Sequence, residues 1–354
     1  MTAETPNSSW VADPEIAPGA VEPGDVLVVL PALNEAEHIE SCLQSLMRPA
    51  HWMSHCTVVV ADGGSTDGTQ DIVLRLKRTY PNLHLLHNPH RLQAAGVNAA
   101  VTHLSKPYHK LLVRCDVHAI YPVGYVQALA REHARVKSAS VVTAMDATGQ
   151  GGFQKAAAWI VDTPLGSGGS THRGGQKAQY VDHGHHAAFD IDWFRRVGGY
   201  DPAISHNEDA EYDMRLTQSG GKIWLTDQTR IAYVMRPTLG AVWRQYWNYG
   251  HGRANTLLKH NARPRLRQLA PVLNLLVLLV SACAMPFTSL GLVWPALYAG
   301  VLLGTSLIAA GLLRSAEGLW AGLALGAMHI AWALGFLRRV CTISKPRSSE
   351  VQTG

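Results

Sequence analysis

Beyond Leu269 charge almost vanishes from the chain, and three apolar stretches follow in close order: Leu269 to Phe287, Leu290 to Leu313 and Gly318 to Leu337. Each comes near the ~20 residues that a helix needs to cross a bilayer. Three such stretches with short joins are hard to bury in the core of a chain of 354 residues, so the pattern predicts a membrane-embedded C-terminal part. Arg263, Arg265 and Arg267 precede the first stretch and, by the positive-inside rule, hold the preceding domain in the cytoplasm. Three full crossings would leave Arg338, Arg339, Lys345 and Arg347 outside, against the same rule. Two or three crossings are therefore open, with the first stretch, bounded by Pro271 and Pro286, either spanning, re-entrant or lying in the interface.

The remainder reads as a water-soluble domain. Residues 1–24 are rich in Pro, Ala, Glu and Ser, lack an apolar core and are expected to be a disordered leader rather than a secretory signal. Between Asp25 and Asp146 short β-branched runs alternate with helical patterns, the signature of βα units on a mostly parallel sheet. The runs are Val26 to Leu30, Thr57 to Val60, Leu83 to Leu86, Leu111 to Val113 and Ser140 to Thr143. A net charge of +5 is too modest to argue for a nucleic-acid partner, and basic residues near the membrane meet anionic lipid head groups more simply. Five cysteines without metal-ligand spacing fit unpaired thiols in a reducing compartment.

In open α/β sheets ligands gather at the carboxyl ends of strands. Pro31, Asn34 and Glu35 follow the first run, Asp62 to Thr69 the second, and Asp116-Val117-His118 the fourth. The Asp62 to Thr69 loop has glycines for a tight turn and side chains able to cap a helix. It is read either as a capped turn alone or, beside Pro31 to Glu35, as part of a base- and ribose-binding pocket. Asp116 and His118 can present two metal ligands, and the later acidic pair Glu208-Asp209 can supply a base. Together they suggest metal-assisted group transfer from a diphosphate donor. The alternative for Glu208 and Asp209 is a favourable interaction with the start of a helix running to Ser219. Gly166 to Ser170, flanked by His172 and Arg173, is either a lid over the diphosphate or a surface loop. Asp182 to His186 offers a metal or acceptor contact, or is simply solvated.

Pro31-Ala32-Leu33-Asn34-Glu35 followed by Ala61-Asp62-Gly63-Gly64-Ser65-Thr66-Asp67-Gly68-Thr69 resembles the donor-binding signature of family 2 glycosyltransferases, inverting enzymes with the GT-A fold. Asn88 to Asn98, Arg114 to His118, Val181 to His186 and Arg244 to Arg253 are more closely similar to the succinoglycan-biosynthesis glucosyltransferases of the ExoA type. The resemblance covers roughly residues 25 to 260 and implies a GT-A domain followed by transmembrane helices. The expected division is a leader (1–24), a catalytic domain (25–238), an amphipathic interface segment (239–268), a membrane domain of two to three helices (269–340) and a tail (341–354).

The same resemblance implies site roles. Asp62 would contact the uracil ring, and Glu35 with Pro31 and Ala32 would hold the uridine. Arg91 and Asp116 complete the donor set. Asp116 takes the place of the metal-binding aspartate, and His118 stands where most relatives have a second Asp. A carboxylate suits Mn²⁺ or Mg²⁺, and the imidazole shifts the balance toward Mn²⁺. Asp209 matches the catalytic aspartate. Glu208, Arg244, Gln245 and Trp247 are expected on the acceptor or diphosphate side, although Arg244 to Trp247 suits a membrane interface belt equally well. Their order differs from the Gln-x-x-Arg-Trp motif of processive relatives, which favours a single transfer.

The implied activity is transfer of one sugar, expected to be glucose, from a UDP-sugar to a polyprenyl-diphosphate-linked saccharide at the cytoplasmic face of a bacterial-type inner membrane. Membrane lipid and other polysaccharide-assembly enzymes are the further expected partners. A polyprenyl-phosphate glycosyltransferase and an inactive membrane scaffold are the alternatives.

Overall fold

Val26–Ala32 is buried at every position, which a strand tolerates only in a sheet covered on both faces. The structure, a computed structural model, describes residues 20–171, 173, 177–204 and 206–342. Most of the expected leader and tail, together with His172, lies outside the described residues, as does the side chain of His186. Among the described residues nine strands form one sheet: β1 (Val26–Ala32), β2 (Thr57–Asp62), β3 (Leu83–His87), β4 (Leu111–Arg114), β5 (Ala119–Ile120), β6 (Ser140–Thr148), β7 (Gln179–Val181), β8 (His185–Asp190) and β9 (Ile223–Val234). All five β-branched runs read from the sequence are strands.

The order is β3-β2-β1-β4-β8-β6-β9-β5, with β7 also on β9. The first four strands are parallel, whereas β8 runs antiparallel to both β4 and β6. The chain lays down β1, β2 and β3 in one direction, then returns to place β4 on the other side of β1. That reversal opens a crevice at the carboxyl ends of β1 and β4, where ligands bind in open α/β sheets.

Side chains alternate across β1 and divide the core in two. Val28 and Leu30 pack with Ile39, Leu43, Val73 and Leu129 from the helices Ile39–Leu46, Thr69–Leu76 and Tyr125–Val136. Leu27 and Val29 pack on the other face with Val97, Phe194, Tyr212 and Leu216 from Gln93–Leu104, Ile191–Arg196 and Glu208–Gln218.

Three C-terminal helices are long and apolar enough to cross a membrane: Leu266–Ala284, Ser289–Leu313 including its initial 3₁₀ turn, and Ala316–Thr342 likewise. The first is one unbroken helix through Pro271, so a re-entrant turn at this stretch is not what forms. Leu239–Lys259 packs along Ala321–Thr342. At the crossing a Cβ on Gly250 would strike the Trp332 carbonyl, and one on Gly335 would strike the Trp247 carbonyl. Both glycines therefore permit backbone contact between the helix beside the cleft and the last apolar helix. Glu317 adds a second tie, accepting from Gly152 N (2.9 Å) and pairing with Lys155 (3.0 Å).

Candidate active site

Arg114 ends β4, an otherwise apolar strand, and its guanidinium is buried where the crevice opens. It pairs with Glu208 Oε1 at 2.8 Å and with Asp116 Oδ1 at 3.4 Å, donates to Gln93 Oε1 at 2.9 Å and to the Tyr200 hydroxyl at 3.3 Å, and lies over the Tyr200 ring. Burial opposes its charge, but Tyr200, Asp116 and Glu208 outweigh burial and hold its pKa well above the usual value. One cation thus joins the end of β4 to the start of the Glu208–Gln218 helix.

Gln93, Arg114, Asp116 and Glu208 line a cavity of about 540 Å³. Of the residues expected in the site, Pro31, Glu35, Arg91, Asp116, His118, Glu208, Asp209, Arg244 and Gln245 line it. Ala32, Asp62 and Trp247 are not among its lining. Asp62 is 1% exposed, and its carboxylate accepts from Gly64 N (2.8 Å), Ser65 N (3.0 Å), Ser65 Oγ (2.5 Å) and Gln70 Nε2 (2.7 Å). The turn reading of the Asp62 to Thr69 loop is realised in this Asx-type geometry. The loop is zipped to its neighbour by Asn34 N to Ser65 Oγ, Glu35 N to Thr69 Oγ1, Ala36 N to Asp67 Oδ2 and Thr66 N to Asn34 Oδ1, all within 2.9 Å. Trp247 faces elsewhere because Arg244, Gln245, Asn248 and Tyr249 share the helix face toward the cavity, which leaves position 247 off that face. Its ring lies near Arg338 of the last helix.

Where β1 and β4 end, His118 Nε2 meets Glu35 Oε1 at 2.9 Å, a contact the spacing of Asp116 and His118 did not announce. Glu35 Oε2 is buried without a hydrogen-bond partner. Asp116 keeps its side chain 37% exposed, while its backbone is clamped by Tyr121, whose hydroxyl accepts from Asp116 N (2.7 Å) and donates to Asp116 O (3.0 Å).

On the opposite side the Glu208–Gln218 helix starts from Asn207 in the left-handed region (φ 63°), a conformation that Asn tolerates better than most residues. Asn207 Nδ2 donates to Tyr249 O (2.9 Å), fixing the helix start against Leu239–Lys259. Asp209 is paired with His185. Burial pushes the Asp209 carboxyl up, but His185, His183 and Arg114 outweigh burial and hold it well below the usual carboxylate range. His185 is raised in turn, since Asp209 overcomes the burial that would lower it. Glu208 is raised by burial despite Arg114. Neighbouring carboxylates are thus driven apart, with Asp209 the one held ionised.

Sequence reasoning passed over Arg114 and Gln93 as site residues, and it left His185 as one member of a stretch with two readings. Arg236 and Asn248, which also line the cavity, were not singled out. The available signal for Arg114 was a charge closing the buried run Leu111-Leu112-Val113, where an unpaired cation would be costly. With Arg91, Arg173, Arg236 and Arg244 around the same cavity, the arrangement can hold a polyanion between a carboxylate–imidazole cluster and an ionised Asp.

The pattern of the family described as "Glycosyl transferase family 2" matches residues 27–198. The chain is 42% identical over 314 residues to the succinoglycan biosynthesis protein ExoA of Rhizobium meliloti (strain 1021), covering 89% of this chain and 94% of that one. A dolichyl N-acetyl-alpha-D-glucosaminyl phosphate 3-beta-D-2,3-diacetamido-2,3-dideoxy-beta-D-glucuronosyltransferase of Methanococcus voltae is 20% identical over 242 residues, 66% of this chain and 74% of its own. Among solved structures, the mannosyltransferase PcManGT from Pyrobaculum calidifontis, in complex with GDP-Man and Mn²⁺, superposes with a TM-score of 0.61 at 20% identity, covering 93% of this chain and 90% of that one. At that identity the superposition shows a shared GT-A fold.

Proposed function

The chain belongs to family 2 of the glycosyltransferases, and from that premise we propose that it transfers a single sugar, expected to be glucose, from a UDP-sugar to a polyprenyl-diphosphate-linked saccharide, with inversion, in exopolysaccharide assembly. The observation that carries this reading is the cavity in which Arg114 joins Asp116 to Glu208. It brings a donor-side carboxylate and an acceptor-side base to one space, as direct displacement at an anomeric carbon requires. The relative named for succinoglycan biosynthesis supports the pathway class. The three apolar helices, tied to the domain through Gly250 and Gly335, support a lipid-linked acceptor and a catalytic domain at the cytoplasmic face of an inner membrane.

Uridine would lie along Pro31 and Glu35, with its diphosphate toward Arg91 and Asp116. The donor side fits a divalent metal. Asp116 offers a hard oxygen to the cavity, His118 an imidazole, and Glu35 Oε2 is a buried oxygen lacking a partner. Such an ion supplies Lewis-acid stabilisation of the departing nucleoside diphosphate, and the Mn²⁺ bound by the structural relative is consistent with it.

Asp209 acts as the base. Its pairing with His185 keeps it ionised, and in a direct displacement the acceptor proton is lost as the new bond forms, when the hydroxyl has become acidic enough for a carboxylate to take it. Arg244 and Gln245 would contact the acceptor. Gln245 is oriented by donating to the hydroxyls of Tyr233 (2.6 Å) and Tyr249 (2.9 Å).

The test is UDP release by detergent-purified protein given UDP-glucose and a lipid-linked acceptor extract, with Mn²⁺, Mg²⁺ or chelator, followed by mass analysis of the lipids. A metal-dependent gain of one hexose on a diphosphate-linked lipid is expected. A sugar on a lipid monophosphate instead would replace the proposed acceptor, and no nucleotide release from any common UDP-sugar by folded protein would overturn the donor.

A further inference from the structure

His183, His185 and Asp209 each offer a ligand atom within 4.8 Å of the others, and these residues are not the donor-side cluster around Asp116. We propose that they form a second divalent-metal site, selective for a transition ion such as Zn²⁺ over Mg²⁺, on the acceptor side of the cleft. The inference rests on the reading of Asp209 as the base only for its functional consequence, not for binding.

The site is built rather than accidental. His183 and His185 flank Gly184 at the entry to β8, and a Cβ on Gly184 would collide with the Val142 side chain, so the turn can approach β6 only with glycine between the two imidazoles. Asp209 and Asp213 stand one turn apart on the facing helix and so share a side of it. Asp213 is buried (2% exposed) and accepts from His183 Nδ1 at 2.8 Å and from Gly184 N at 3.2 Å. A carboxylate behind a ligating imidazole is the outer-shell partner that fixes the ring and leaves the other nitrogen with its lone pair.

Two imidazoles and a carboxylate are donors that favour Zn²⁺ or Co²⁺ over Mg²⁺. Three protein ligands would leave a position for water or an acceptor hydroxyl. Bonds of about 2.0–2.2 Å place tetrahedral ligands roughly 3.4 Å apart, so the direct His185–Asp209 contact must open to admit the ion, a movement within the reach of imidazole rotation. Occupancy engages the carboxylate that takes the acceptor proton. Transition ions at this site therefore inhibit transfer, while a donor-side ion at Asp116 supports it.

The experiment is titration of the detergent-purified full chain, without donor, by Zn²⁺ in calorimetry and by Co²⁺ in visible absorption. Wild type, Asp116→Asn, His183→Gln and His185→Gln are compared. A Co²⁺ spectrum with imidazole ligation is expected in wild type and in Asp116→Asn. Affinity should fall by at least about tenfold in either histidine variant, and if His183→Gln unfolds for want of the Asp213 partner, His185→Gln decides. Wild-type affinity in His185→Gln, or loss of the Co²⁺ signal in Asp116→Asn, overturns the proposal. Transfer assays keep the two readings separate: full turnover by Asp209→Asn would remove the base but leave the binding result standing.

Discussion

The two sides of the cleft, proposed above as the donor and acceptor sides, hold their acids in different ways. On the donor side Asp62 and Asp67 accept from backbone amides and hydroxyls of their own and the adjoining loop, while Asp116 is partly open to solvent. On the acceptor side Glu208, Asp209, Glu211 and Asp213 stand buried along one helix, facing Arg114, His185, Lys259 and His183. Loop amides can be re-satisfied by water when an acid is removed, but a buried cation left without its anion cannot. The acceptor side should therefore be the brittle half of the molecule and the donor side the forgiving one.

The sharpest test is Asp209→Asn. The change keeps the shape and removes the proposed base, so kcat should fall by about 10²–10⁴-fold, while UDP binding measured by calorimetry stays near wild type. Comparable loss of UDP binding would show that the two sides are not separable. Next is Arg114→Met, which fills the volume but leaves Glu208 buried without its cation. Removing one partner of a buried pair costs about 3–5 kcal/mol, and the drop should appear as a lower Tm in detergent together with loss of transfer. An unchanged Tm would mean that Arg114 does not bridge the halves.

Glu211 extends the comparison away from the cleft. It accepts from Arg215 (2.7 Å), Lys259 (2.6 Å) and His260 (2.8 Å) and ties Glu208–Gln218 to Leu239–Lys259. Burial raises its pKa, but Arg215, Lys259 and His260 outweigh it and hold the carboxyl below the ordinary 4.5. A depressed folded-state pKa means that this stabilisation is complete above the unfolded value and is lost as pH falls through the folded one. Glu211→Gln should cost about 2–3 kcal/mol at neutral pH, less than the buried-pair range because Lys259 and Arg215 are partly exposed. It should also flatten the decline of Tm below pH 4.5. A variant with the wild-type acid decline would place that loss elsewhere.

The same contrast governs what the sequence disclosed. Runs such as Val26 to Leu30 and Leu111 to Val113 were legible because a strand covered on both faces must be apolar at consecutive positions, and Asp116 because it stands just past the fourth run, whereas Glu208 and Asp209 were read chiefly from the family resemblance. The pairing of Arg114 with Glu208, and of His185 with Asp209, joins elements that meet only after the sheet reverses at β4, and no local pattern records it. Trp247 was grouped with Arg244 and Gln245 as neighbours in sequence, yet the cavity face of that helix is centred on Arg244, Gln245, Asn248 and Tyr249, and position 247 falls outside it. Asp62 admitted a turn or a pocket; its four hydrogen bonds realise the turn, and it is not among the residues lining the cavity.

The smallest effect is expected at Asp67, on the forgiving side. Its carboxylate accepts from Ala36 N (2.9 Å), Thr69 N (3.0 Å) and Thr69 Oγ1 (2.6 Å), and the Thr69 hydroxyl holds its pKa below the usual range. Through Ala36 it ties the helix start after β2 to the residues that follow Glu35. Asp67→Asn keeps one acceptor oxygen and removes the charge, so the tie loosens without leaving a buried ion behind. KM for the donor should rise several-fold with kcat almost unchanged, since binding of the ground and transition states would be weakened alike. A fall in kcat as large as that of Asp209→Asn would show that the donor loops are coupled to the base, and the division between a brittle and a forgiving half would then fail.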